Sequence, residues 1–269
     1  MIRSLLCAVL FVTAFTFSGP ALSQDSPQTL TVFAAASLTN AFEEIAQAFE
    51  AAHPGVDVVF NFAGSSTLAA QLAEGSPADV FASANYAQLA AARAAGRISG
   101  RAPIFARNQL ALIVPADNPA NIQSLDDLAN PGLQLVLAAP GVPVRTYTDV
   151  MLERMAADPA YGEAYRSAVL ANLASEEDNV RQVAAKVALG EADAGIVYVS
   201  DVTPEIRDQV LVLPIPTAFN SRAAYPMALT NDTANRELAQ AFMAAVLSDE
   251  GQRVLESWGF VRASGGDRP

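Results

Sequence analysis

The sequence predicts an α/β protein in which mostly parallel strands carry helices on their faces, arranged as two similar lobes. Three observations lead there. Short β-branched and aromatic runs alternate with apolar residues at helical spacing from Thr29 onward. The alternation restarts in the second half of the chain. A passage from helix through a small-residue turn and an aspartate into a strand occurs twice, as Leu72-Ala73-Glu74-Gly75-Ser76-Pro77-Ala78-Asp79-Val80 and as Leu189-Gly190-Glu191-Ala192-Asp193-Ala194-Gly195.

In order, Thr29 to Ala34 reads as a strand, and Leu38, Phe42, Ile45 and Phe49 form one face of a helix that His53-Pro54-Gly55 ends. Val56 to Phe62 is the next strand, Leu68 and Leu72 mark a helix stopped at Gly75, and Ala78 to Ala82 is a third strand. Leu110 to Pro115 and Leu133 to Ala138 are strands of the second half, the latter ending at Pro140-Gly141. Val180, Val183 and Val187 face one side of a helix stopped by Gly190, and Ala194 to Val199 is a buried strand. Leu238, Phe242 and Val246 mark a late helix, and a short segment around Val254, Leu255 and Trp258 closes the chain. No low-complexity linker separates the halves, so strands rather than a tether should join them.

The first 23 residues read as an export signal. Arg3 precedes an apolar run from Leu5 to Phe17, Gly19-Pro20 breaks it, and Ala21-Leu22-Ser23 supplies small residues for cleavage after Ser23. The run is shorter than the roughly 20 residues of a membrane span. Cys7, the only cysteine, lies inside it, so the remaining chain is expected to have no disulfide, thiol nucleophile or cysteine metal site. The chain carries 16 Lys and Arg against 28 Asp and Glu, a net charge of −12. Such a balance repels nucleic acid and anionic lipid, and argues against both as partners.

Three junctions place hydroxyls and small residues where a strand meets a helix: Ala34-Ala35-Ala36-Ser37-Leu38-Thr39, Phe62-Ala63-Gly64-Ser65-Ser66-Thr67, and Ala174 to Val180. A helix start leaves N–H groups unpaired and carries partial positive charge, so a serine beside it makes an uncharged anion site. Each alone is ordinarily a cap. Two successive uncharged junctions point more firmly to a ligand. The acidic Glu176-Glu177-Asp178 reads as an answer to the helix dipole rather than a cation site. Enzyme chemistry finds few parts. The only histidine, His53, sits at a helix end and should face solvent, and Gly64-Ser65-Ser66-Thr67-Leu68 lacks the second glycine of a nucleophile elbow. Clustered zinc ligands and nucleotide-binding glycine patterns are absent from the sequence.

Thr31 to Asn40, Phe62 to Leu68 and Gly195-Ile196-Val197-Tyr198-Val199-Ser200-Asp201, with Glu177 to Arg181 and Tyr225-Pro226, resemble the periplasmic molybdate-binding proteins of ABC importers. The resemblance runs from about Thr29 to Val261. It implies a class II periplasmic binding protein fold, with two α/β lobes joined by crossover strands: residues 24–105 and 219–269 in lobe I, 106–218 in lobe II. It implies capture of molybdate or tungstate by hydrogen bonds, with delivery to the importer's membrane permease by an exported, monomeric, non-enzymatic protein. Sulfate is the alternative ligand, and a secreted serine hydrolase using Ser65 the rival of another class. The ligand set it implies is Ser37, Ser65, Val144, Val180 and Tyr198, with no cofactor and no direct metal ligand, the metal arriving inside its oxyanion. One departure stands out. In Val142-Pro143-Val144-Arg145-Thr146-Tyr147, Arg145 occupies a position where the family usually has glycine, and it is expected to face solvent or pair with a carboxylate.

Overall fold

The computed structural model describes residues 28–263, so the export signal and Cys7 lie outside the described residues. The chain opens with β1 (Gln28–Ala35), a 3-10 turn (Ala36–Leu38), α1 (Thr39–Ala52), β2 (Val56–Ala63), α2 (Ser65–Ala73), β3 (Val80–Ala82) and α3 (Tyr86–Ala94). A long strand, β4 (Ile104–Pro115), leads into β5 (Leu135–Ala138), α4 (Pro143–Ala157), α5 (Gly162–Ala171), β6 (Leu173–Glu177), α6 (Val180–Ala188), β7 (Ala194–Tyr198) and β8 (Val210–Leu213). The chain then returns through β9 (Arg222–Leu229) to α7 (Arg236–Leu247), α8 (Asp249–Ser257) and β10 (Val261–Arg262).

Each half is built on a parallel triplet, β2-β1-β3 in the first and β6-β5-β7 in the second. The antiparallel strands β4 and β9 join the triplets, so the sheet as a whole is mixed. From Ile104 to Gln109 β4 pairs with β9, and from Leu110 to Ile113 with β7. One continuous strand thus enters both halves. Where pairing with β9 ends, the Asn220 side chain continues it: Leu110 N–H donates to Asn220 Oδ1 at 3.1 Å, and Asn220 Nδ2 donates to the Leu110 carbonyl at 2.9 Å.

The repeated passage seen in sequence has one structural meaning. After α2, Asp79 exchanges two hydrogen bonds with Thr31 of β1, each 2.8 Å long. After α6, Asp193 does the same with Gln134 just before β5, at 2.9 and 2.7 Å. Each aspartate fastens the start of its strand to the central strand of its triplet, and each helix ends in a glycine with positive φ, Gly75 and Gly190. Burial follows the spacing read from sequence. Phe42 and Phe49 of α1 meet Phe242 of α7 edge-on at 5.9 and 5.5 Å, and Phe42 packs against Phe105 of β4 at 5.6 Å. In the second half α6 lies directly on β7, because a Cβ at Gly195 would stand 2.9 Å from the methyls of Val183 and Val187. His53 differs from its expected solvent-facing position. It is half-buried, stacked on Phe49 at 4.1 Å, with Nδ1 held at 2.8 Å from the Phe49 carbonyl.

Candidate functional site

Four chain segments turn from strand or loop into helix at one place between the halves. They are the 3-10 turn before α1, and the starts of α2, α4 and α6. The cavity they enclose has about 220 Å³ of empty space, part of it open to solvent. Ser37, Ser65, Val144, Val180 and Tyr198 all line it, together with Gly64, Ala84 and Asn179. The sequence-derived set is therefore brought together in full.

The arrangement offers donors. Ser65 is the first residue of α2 and Val180 the first of α6, while Val144 follows Pro143 at the start of α4. At these positions a backbone N–H has no carbonyl one turn back to bond. The 3-10 turn, α2 and α4 begin without a side-chain cap, so their own residues do not occupy those donors. Every described residue of the cavity wall is uncharged. Its positive potential comes from the helix starts, each equivalent to roughly half an elementary charge. Ser65 Oγ accepts the Ala84 N–H at 3.0 Å, which fills an oxygen lone pair and leaves the serine hydrogen to be donated elsewhere. Tyr198 is 1 % exposed, and its hydroxyl has no hydrogen-bond partner among the described residues. Burial holds its phenol well above the usual tyrosine pKa, so it stays a neutral O–H donor.

Behind this wall lies a buried layer that sequence reasoning did not find. Tyr225 of β9 is fully buried and hydrogen-bonds Ser37 Oγ at 3.0 Å. The rings of Tyr147, Tyr198 and Tyr225 follow one another edge-on, at 6.3 and 5.9 Å. Beneath Tyr198, Asp201 is fully buried and accepts the Tyr198 N–H at 3.1 Å. Burial pushes its carboxyl up to about 6, against the downward pull of Arg181 and of that N–H. Arg181 Nε stands 2.9 Å from Asp201 Oδ1, with its N–H not aligned on the oxygen. In sequence, Tyr225 showed only as half of a Tyr-Pro pair, and Asp201 as the end of a family motif.

Across the cavity the halves touch. Arg181 Nη2 donates to the Ser37 carbonyl at 3.4 Å, and Gln88 Nε2 to the Gly141 carbonyl at 2.8 Å. Gly64 sits against the Asp178 carbonyl so closely that a Cβ would overlap it. The described conformation is therefore closed. Arg145 pairs with carboxylates, as expected: its guanidinium meets Asp149 at 2.9 Å and Glu176 at 2.6 Å, donates to the Ala138 carbonyl, and lies outside the cavity wall. The helix begins at Pro143 despite the missing glycine. At the third junction Ser175 does not face the cavity, but bonds Glu177 and Lys186. Asn179 caps α6 there, accepting from Gln182 N–H. Among the described residues, no cluster of three or more His, Cys, Asp or Glu could hold a metal ion, and no helix is long and apolar enough to cross a membrane.

Two α/β halves, joined by shared strands and closed over a small cavity whose described wall residues are uncharged, are the architecture of a two-lobed solute-binding protein. Residues 30–261 match the family described as bacterial extracellular solute-binding protein, and the chain belongs to that family. It is 39% identical over 245 residues to the molybdate-binding protein ModA of Mycobacterium tuberculosis, covering 91% of this chain and 89% of that one. It is 31% identical to the molybdate-binding protein ModA of Escherichia coli, covering 92% and 93%. Among solved structures, the fold is shared with the periplasmic molybdate-binding protein of Azotobacter vinelandii (TM-score 0.75, 20% identity, 87% of this chain and 100% of that one). It is shared equally with the sulfate-binding protein SubI of Mycobacterium tuberculosis (TM-score 0.76, 20% identity, 88% of each).

Proposed function

We propose that this protein captures molybdate or tungstate in the cavity between its halves and delivers it to the permease of an ABC importer. The observation that carries the reading is the convergence, on a cavity whose described wall is uncharged, of uncapped helix starts and a buried Tyr198 hydroxyl that has no hydrogen-bond partner among the described residues. Ser37 and Ser65 would donate hydroxyl and backbone N–H groups, Val144 and Val180 backbone N–H groups, and Tyr198 its phenol. Fixed dipoles of this kind replace a dianion's hydration shell by charge-assisted hydrogen bonds, with no cation to desolvate. The names of the relatives support molybdate; the fold alone is equally compatible with sulfate.

In this reading residues 24–105 and 219–269 form one lobe and 106–218 the other, closing about the crossover strands as the ligand enters. The first 23 residues are the export signal, and the protein works as an extracytoplasmic monomer. Calorimetric titration with molybdate, tungstate, sulfate and phosphate tests the proposal. Molybdate or tungstate should bind tightest and raise the melting temperature. At about 1,000-fold excess over the dissociation constant the stabilisation should reach about 4 kcal/mol. Sulfate binding more tightly than molybdate would overturn the assignment in favour of a sulfate carrier. Ester turnover without any thermal shift would overturn the binding role itself.

A further inference from the structure

We propose that Tyr225 is a positioning residue that fixes the polarity of the Ser37 hydroxyl, so that its hydrogen points into the cavity as a donor. The inference deepens the oxyanion reading above and rests on it. A serine hydroxyl has one hydrogen and rotates freely, so as an anion ligand it must be prevented from spending that hydrogen on a neighbour. Ser65 is protected because its oxygen accepts the Ala84 N–H. Among the described residues no backbone N–H is given to the Ser37 oxygen in this way; its hydroxyl partner is the Tyr225 phenol, 3.0 Å away, with both residues buried.

The direction of that bond follows from the acidity of the phenol and from what lies behind it. Asn108 of β4 is fully buried. Its Oδ1 is taken by the Gln109 N–H at 2.9 Å, which leaves its Nδ2 side, bonded to Ser200 Oγ at 2.8 Å, to favour negative charge on the Tyr225 oxygen and so sharpen the phenol as a donor. A phenol is a far stronger acid than an alcohol and the poorer acceptor, so of the two hydroxyls Tyr225 donates and Ser37 accepts. The chain of donation runs Tyr225 to Ser37 to the cavity. Such chains strengthen their last member, because each donation polarises the next. Tyr225 does not line the cavity, so it acts only through Ser37. Its ring is clamped edge-on by Phe105 at 6.2 Å, Tyr198 at 5.9 Å and Phe260 at 5.4 Å, so the phenol cannot follow a serine that turns away. Asn108 and Tyr225 also belong to the two strands that join the halves.

A double-mutant cycle on the full chain, read by calorimetry with whichever of molybdate, tungstate and sulfate binds wild type tightest, tests this. Tyr225→Phe should weaken binding about tenfold. In a Ser37→Ala background the same substitution should change affinity less than twofold, since no hydroxyl remains to orient. A merely structural role would give equal losses in both backgrounds, and that result, or unchanged affinity for Tyr225→Phe alone, overturns the proposal. Site-specific 3-fluorotyrosine at position 225 keeps the ring and makes its hydroxyl a stronger donor; it should bind at least as tightly as wild type, and weaker binding counts against the relay even if the phenylalanine variant does not fold. Wild type binding none of the three anions would instead defeat the oxyanion reading, and this inference with it.

Discussion

Tyr198→Phe removes one oxygen atom and leaves the ring that Tyr147 and Tyr225 enclose. In the closed conformation that oxygen is buried and has no hydrogen-bond partner among the described residues. A buried polar group left unmatched costs about 1–3 kcal/mol, whereas a hydrogen bond to a charged acceptor contributes about 1.5–3 kcal/mol. The two effects of the substitution therefore have opposite signs. Affinity for molybdate should fall about ten- to a hundredfold, the equivalent of that one charge-assisted bond. The ligand-free protein should be no less stable than wild type, because the phenylalanine buries the same ring without an unmatched hydroxyl.

Selectivity should shift as well. Tyr198 ends β7, and its backbone N–H is tied to Asp201, so the phenol cannot move inward to meet a smaller anion. Sulfate, with shorter bonds from its central atom, should lose less than molybdate on the substitution, and the ratio of the two affinities should narrow. Competition titrations of molybdate against sulfate, with thermal melts of the ligand-free proteins, read all three quantities. An unchanged affinity ratio combined with a lower melting temperature would show that the hydroxyl serves the core rather than the ligand, and would refute the reasoning.

Three other outcomes are expected. Ser65→Ala should weaken molybdate binding by about 1.5–3 kcal/mol and also lower the melting temperature, because the Ala84 N–H loses its acceptor; calorimetry and a melt on the same sample check both. Gly64→Ala should leave the ligand-free protein stable yet weaken binding at least roughly tenfold, since its Cβ would strike the Asp178 carbonyl and hold the halves apart; small-angle scattering should then show no contraction on adding molybdate. Asp201, raised to about 6 from 3.8, keeps its proton in the folded state where the unfolded chain has lost it. Stability from this group is therefore full below about pH 4 and falls as pH rises through 6, by about 3 kcal/mol in total. Asp201→Asn should remove that fall, and a wild-type-minus-mutant difference in urea midpoint that is flat from pH 4 to 7.5 would contradict it.

What the sequence revealed and what it hid have physical causes. The strands and helices read correctly are those where one face is apolar throughout, such as α1 and α6. The missed α3, Tyr86–Ala94, is mostly alanine and buries only Leu89 and Ala92, so its periodicity is faint. In α4 one buried position is Thr148, whose hydroxyl bonds back to the Val144 carbonyl, and the apolar stripe reads as broken there. Only the last half of β4 was legible, because Asn108 and Gln109 interrupt the apolar run at the crossover between halves. Pro226 hid β9. Proline supplies no ladder N–H, and the register of β4 against β9 shifts between Ile104 and Ala106, beside it. In the site, Ser37 and Ser65 were visible as hydroxyls at strand–helix junctions. Val144 and Val180 were not, because what they offer is a backbone N–H, which leaves no mark in side-chain chemistry; only the resemblance pointed to them.

A chain with a net charge of −12 is an unpromising partner for the dianion proposed as its ligand, and the site would resolve the conflict by scale. The surface charge acts over long distances and is screened beyond about 8 Å at physiological ionic strength. The helix starts act at hydrogen-bonding distance, in a cavity closed to most water, where the effective dielectric is low and each dipole counts for more. Two full charges behind the wall, Arg181 and Asp201, stand together and largely cancel. A lysine or arginine in the wall would add attraction for any anion, of whatever size, and would have to be stripped of water each time the halves closed. Fixed dipoles attract only what fits between them. Discrimination then depends on how rigidly each donor is held, which explains why so much of the structure behind the wall serves to fix a hydroxyl or an N–H: Ala84 for Ser65, Asp201 for Tyr198, and the clamped Tyr225 for Ser37.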